Sequence, residues 1–201
     1  MADVGIGFLA HTGWAAAVTV AAVDGALVPD VVDRRRIDIS DASVPGQAYH
    51  AAAGLDFAAA ERLVRTATEA AGKAARRSLE AMVSDLAADG HKVVGTGIVL
   101  ANGHVPDALE RILASHTLLH AAEGELFREA LMEASAGCGL PVAAARDRDL
   151  LDEAATVIGR EADQIEQGIE GLGRVIGPPW AKDQRKAAVA GWIALVSARA
   201  G

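Results

Sequence analysis

The chain contains one cysteine, Cys138, and only 3% aromatic residues. A single cysteine excludes an internal disulfide and fits a reducing compartment. Cys138 itself reads as a small buried residue at a helix end and not as a nucleophile. With so few aromatics, the core must be assembled from Val, Leu, Ile and close alanine-mediated helix contacts, because much of the 51% hydrophobic content is alanine. No apolar run approaches the roughly 18 residues of a membrane span, and the N-terminus MADVGIG has no basic segment followed by a long apolar stretch. A soluble, cytoplasmic protein without membrane contact is therefore expected. The P-loop, a Gly-x-Gly-x-x-Gly after a strand, Cys-x-x-Cys and HExxH are all absent, and no serine stands in a nucleophile-elbow pattern. Positive charge is also scarce: 19 Lys and Arg against 27 Asp and Glu leave a net charge of -8. The whole molecule thus repels phosphate backbones at long range, which disfavours nucleic acid as a partner.

Three strands are expected first. Val4 to Ala10 is a short apolar run rich in Gly, Ile and Phe, and Trp14 to Val23 continues with V-T-V-A-A-V after His11-Thr12-Gly13. Val31 to Ile39 alternates after the turn signal Asp24-Gly25, with polar residues at Arg34, Arg36 and Asp38, as on a half-exposed edge strand. The same alternation sends Arg35 to the opposite face from Arg34 and Arg36, so this basic run reads as protection of an edge. Residues 40–54 read as a loop long enough to suspect function or mobility. Asp56 looks like the N-cap of a helix to about Ala88, closed by Gly90. His91 to Ala101 is continuously apolar, the pattern of a buried strand. A helical region from Pro106 to about Ala136 should break before His116. Pro141 to Ala145 is a short strand, Asp147 to Leu172 a polar helix, and Trp180 to Ala198 a last helix beyond Pro178-Pro179. Trp180 and Trp192 are expected to anchor that helix to the sheet.

The densest chemistry lies in Ser115 to Arg128, SHTLLHAAEGELFR. On a helix His116, His120 and Glu123 stand at i, i+4 and i+7, within a wedge of roughly 60°. As a two-histidine, one-carboxylate metal set they would need a ligand from another element, since an i+7 residue lies about 10 Å along the axis from the first. Otherwise they contact a ligand or act catalytically, or one histidine bridges to a neighbouring segment while Glu123 pairs with Arg128 or a lysine. Gly124 costs about 1 kcal/mol relative to alanine inside a helix, which predicts close approach of another backbone there.

The order β-β-β-α-β-α-β-α with a further helix is that of a ribonuclease H-like fold. Ala121 to Val142, AAEGELFREALMEASAGCGLPV, resembles the small-residue helix and Gly-Leu-Pro-Val strand entry of RuvC-type Holliday junction resolvases. Gln164 to Leu195 is similar to that family's closing segment, and Val4-Gly5-Ile6-Gly7 followed by Thr12-Gly13 has the spacing of its first strand and turn. The resemblance implies an aspartate at or beside Gly7 and a glutamate near Ala101 or Asn102, and neither acid is present. Asp183 alone stands where a family carboxylate is implied. Two-metal hydrolysis needs several convergent carboxylates to hold cations about 4 Å apart, so the standard nuclease mechanism is not expected.

The resulting expectation is an α/β protein: one ribonuclease H-like domain over 1–201, with 147–201 as a helical limb. Three antiparallel strands are extended by two parallel strands, and helices cover both faces. The first and fourth strands are then parallel neighbours, which gathers His11, Thr12, Asn102 and His104 at carboxyl ends, where open α/β sheets place ligands. The function expected is a ligand- or partner-binding module, with a homodimer through an Ala- and Gly-rich helix face implied by the resemblance. The alternative is an enzyme using His11, His104, His116 or His120, with Glu123 and Asp183 among its candidate catalytic groups and Thr12, Asn102 and Arg128 as ligand contacts. A weaker alternative keeps a nuclease with an altered acid set of Asp183, Glu123 and Asp24. The cofactor is left open; a divalent metal is admitted but not favoured.

Overall fold

The computed structural model describes residues 2–23 and 25–200; Asp24, expected in a turn and in the altered acid set, lies outside them. Among them the strands are β1 (Ala2–His11), β2 (Trp14–Ala21), β3 (Asp30–Asp38), β4 (His91–Leu100) and β5 (Val142–Arg146). They form one sheet in the order β3-β2-β1-β4-β5. β1 pairs antiparallel with β2 and parallel with β4, β2 pairs antiparallel with β3, and β4 pairs parallel with β5. This is the expected three-strand antiparallel unit extended by two parallel strands. β3 is the edge, as its charged residues predict. Arg34 reaches the carbonyls of Ile176, Gly177, Pro178 and Pro179, while Arg35, on the other face, pairs with Asp33 and Asp85.

The helices are α1 (Ala48–Ala52), α2 (Phe57–Ala88), α3 (Leu109–Leu113), α4 (His116–Gly137), α5 (Leu150–Ile158), α6 (Ala162–Ile176) and α7 (Lys182–Ala200). Asp56 caps α2 by accepting from the Ala59 amide at 3.0 Å, and Ser115 starts α4 by accepting from Leu118, which produces the break before His116. Three expectations change. The supposed loop 40–54 contains α1. The polar helix from Asp147 is two helices, because Gly159 ends α5 in a left-handed conformation at φ 73°. The last helix begins at Lys182, past the two prolines.

Strand alternation decides which helices cover which face. Ile6 and Phe8 of β1, Ala15 and Ala17 of β2 and Ile98 of β4 point to one side, where α2 and α4 cover them with Leu79, Met82, Leu86, Phe127 and Leu131. Val18, Val20 and Val99 point to the other side, against α7, with α5 and α6 packed outside it. On that second face β1 presents Gly5 and Gly7, and β4 presents Gly95 and Gly97, in direct apposition to α7. The helix answers with small residues: Ala187, Ala190, Gly191 and Ala194 are buried on the strands. Glycine facing alanine lets two backbones approach without side chains between them, which substitutes for the bulky apolar residues this chain lacks.

Candidate functional site

α1 carries the residue that the sequence analysis missed. Its N-cap, Gln47, makes no side-chain cap, and a five-residue helix is not stable by itself. Its free amides are instead satisfied from α4. Glu123 is 2% exposed, and its Oε1 accepts from the Tyr49 amide at 2.8 Å and the His50 amide at 3.2 Å. A carboxyl group at a helix N-terminus is also favoured by the helix dipole. The same Oε1 lies 3.3 Å from His50 Nδ1. With the proton on Nδ1, His50 donates to Glu123 and turns the Nε2 lone pair away from it.

His50 thereby joins the histidine pair of α4. Ring centroids are 4.5 Å apart for His50 and His120, 4.6 Å for His116 and His120, and 5.7 Å for His50 and His116. One donor atom from each of the three lies within 4.8 Å of the others, and His116 and His120 are exposed. Two buried atoms here have no hydrogen-bond partner: His50 Nε2 and Glu123 Oε2. Buried polar atoms are nearly always satisfied by protein, water or an ion. Glu123 Oε1 backs His50, and the donor group within 4.8 Å consists of the three histidines.

The residues at the strand ends are dispersed among different partners. His11 places Nε2 2.8 Å from Asp183 Oδ2 in the first turn of α7, and its ring stacks on Trp14 at 4.3 Å. Thr12 lines an open groove with Gly13, Ser40, Gln47 and His50. Asn102 accepts from the Arg148 amide at 2.9 Å, an interaction that orders the turn after β5. His104 borders a cavity with Tyr49, Glu125, Glu129 and Arg146, in which burial, followed by the Glu125 charge, raises the Glu129 carboxyl above its ordinary range. Arg128 is 8% exposed, and both Nε and Nη2 hold Glu125 Oε2, at 3.0 and 2.7 Å. Its partner is thus Glu125, not Glu123, and its guanidinium covers Gly124 where another backbone was expected. Trp180 donates to the Ile169 carbonyl of α6 at 2.8 Å, so it ties α6 to the segment before α7.

The two-cation centre implied by the resemblance does not fit these residues. Among the described residues, the three histidines are the one group of three or more His, Cys, Asp or Glu whose donor atoms lie within 4.8 Å of one another. A β-carbon at Gly7 would fall inside contact distance of the Ala187 carbonyl, and one at Gly97 would meet Ala190 in the same way. Nearby acids are occupied: Asp183 by His11, and Asp147 by Lys186.

The sequence offered one signal for His50, a histidine inside a loop already suspected of function, but nothing local indicated that it would face α4.

No protein-family model matches the chain, and no curated protein matches it. Solved structures do. Thermus thermophilus RuvC is similar at a TM-score of 0.54 and 12% identity, covering 100% of this chain and 97% of that one. T. thermophilus RuvC in complex with a Holliday junction substrate is similar at the same TM-score and identity, over 99% of this chain and 96% of that one. At this identity the likeness is one of fold, and the fold is RuvC-like and ribonuclease H-like.

Proposed function

We propose that this RuvC-like fold serves as a ligand- or partner-binding module and not as a two-metal nuclease. The observation that supports this most is the seating of α7 on Gly5, Gly7 and Gly97. A carboxylate at Gly7, the strand position where the resemblance implies an acid, would need space that helix backbone fills. The remaining acid of the expected set, Asp183, is held by His11, and a net charge of -8 opposes the approach of DNA. The binding surface proposed is the groove between the β1–β2 turn and α1, with Thr12 on one wall and His50 on the other. Any homodimer would use a surface other than the small-residue face of α7, which the chain's own sheet covers.

The T. thermophilus protein of the same fold is in complex with a Holliday junction, so four-way junction DNA is the ligand to test first. Incubated with such a junction and Mg2+ or Mn2+ at low salt, the protein is expected to leave every strand intact, and Asp183→Asn to behave identically. Binding without cleavage would make the junction this module's ligand. Metal-dependent cleavage that Asp183→Asn abolishes would overturn the proposal.

A further inference from the structure

We infer that His50, His116 and His120 form a site for a first-row transition metal of the zinc(II) type, with a fourth coordination position open to solvent. Three independent features converge on it. The first is chemical: three imidazoles suit Zn2+, Co2+, Ni2+ or Cu2+, whereas Mg2+ and Ca2+ prefer carboxylate and carbonyl oxygen. The second is geometric. His116 and His120 stand one helical turn apart, the spacing that chelates well, and α1 brings the third nitrogen from a different element, so the donors lie within 4.8 Å of one another. Tetrahedral coordination at about 2.0–2.1 Å needs nitrogens roughly 3.3 Å apart. Closing that difference would require the rings to rotate, and those of His116 and His120 are exposed.

The third feature is the support behind the site. Metal-bound histidines characteristically give their other ring nitrogen to a carboxylate, which fixes the tautomer and raises the donor strength of the bound nitrogen. Glu123 stands in that relation to His50 Nδ1 at 3.3 Å, and His50 Nε2 is buried with no protein partner. This nitrogen belongs to a ring whose centroid lies 4.5 Å from that of His120 and 5.7 Å from that of His116, which leaves it available to a metal shared with them. Three protein ligands with one open position is the arrangement that leaves a coordinated water or small anion in reach of solvent. The site lies beside the groove that Thr12 and His50 share. Its existence does not depend on whether the groove binds DNA or anything else.

The test is titration of chelator-treated full-length protein with Co2+, followed by displacement with Zn2+. One equivalent of Co2+ is expected to produce the visible absorption of four-coordinate cobalt, one equivalent of Zn2+ to remove it, and Mg2+ to do neither. His50→Ala and His120→Ala should each weaken binding at least 100-fold with unchanged circular dichroism, and His91→Ala, at the far end of β4, should bind as the parent does. Glu123→Gln should weaken it ten- to a hundred-fold; if that variant does not fold, the two histidine variants decide alone. Absence of saturable binding near one equivalent, or parental affinity in His50→Ala and His120→Ala, would overturn the inference.

Discussion

Gly7→Asp, the change that would put an acid back on the first strand, is expected to abolish folding. The β-carbon alone would enter the space of the Ala187 carbonyl and come within 2.4 Å of nothing softer than the Gly191 backbone. Neither neighbour is the movable end of a side chain. Overpacking a core costs about 1–3 kcal/mol when side chains can yield. Here a helix would have to lift off two strands and a carboxylate would be buried beside a carbonyl oxygen, so a loss above about 4 kcal/mol is expected, comparable with the whole stability of many domains. Gly7→Ala should lose less but remain strongly destabilised. Gly124→Ala is the control: its β-carbon would meet the guanidinium end of Arg128 at 3.0 Å, which can shift, and the helix gains about 1 kcal/mol in propensity. Urea unfolding followed by circular dichroism separates the three. A folded Gly7→Asp protein with the parental midpoint would show that the strand position is open after all.

The second large effect is expected at Glu123. Glu123→Ala removes the side chain that accepts from the Tyr49 and His50 amides, and each orphaned amide costs about 1–3 kcal/mol if it stays buried. A loss of about 2–4 kcal/mol is expected, with the damage centred on α1. Hydrogen exchange should show the amides of residues 48–52 losing protection before those of α2 or α4. Glu123→Gln keeps one acceptor oxygen and should lose less than half as much. An unchanged midpoint and unchanged protection in Glu123→Ala would mean that α1 is held by its apolar contacts, Ala48 and Ala52, and not by the carboxyl group.

These two residues also mark the limits of what was legible from sequence. The Asp56 cap and the edge position of β3 follow from local signals, a capping residue and charge on one face; the break before His116 follows from the length of the helical region, and the strand order from the element order of the fold that the chain resembles. The resemblance located the first missing acid at or beside Gly7, but the reason nothing larger stands there comes from Ala187 and Gly191, about 180 residues away. The glycines of G-I-G and G-T-G do signal close backbone approach in a strand; what approaches was not readable. α1 was read as loop because five residues with no cap of their own carry no helical signal. Its cap is Glu123, more than seventy residues distant. For the same reason His116 and His120 were recognised as a pair in search of a partner, while His50 was passed over. Gly159, in contrast, is a local signal that a long helical pattern obscured.

α7 fills the space beside Gly7, where the resemblance implies a metal-binding acid, and the metal site inferred for this chain lies on α1 and α4. Anomalous diffraction from crystals soaked separately in Zn2+ and Mn2+ tests this most directly. The predicted result is one zinc peak between the imidazoles of His50, His116 and His120, and no manganese peak at the carboxyl ends of β1 and β4. Paired manganese peaks beside Asp183 with no zinc at the histidines would contradict it.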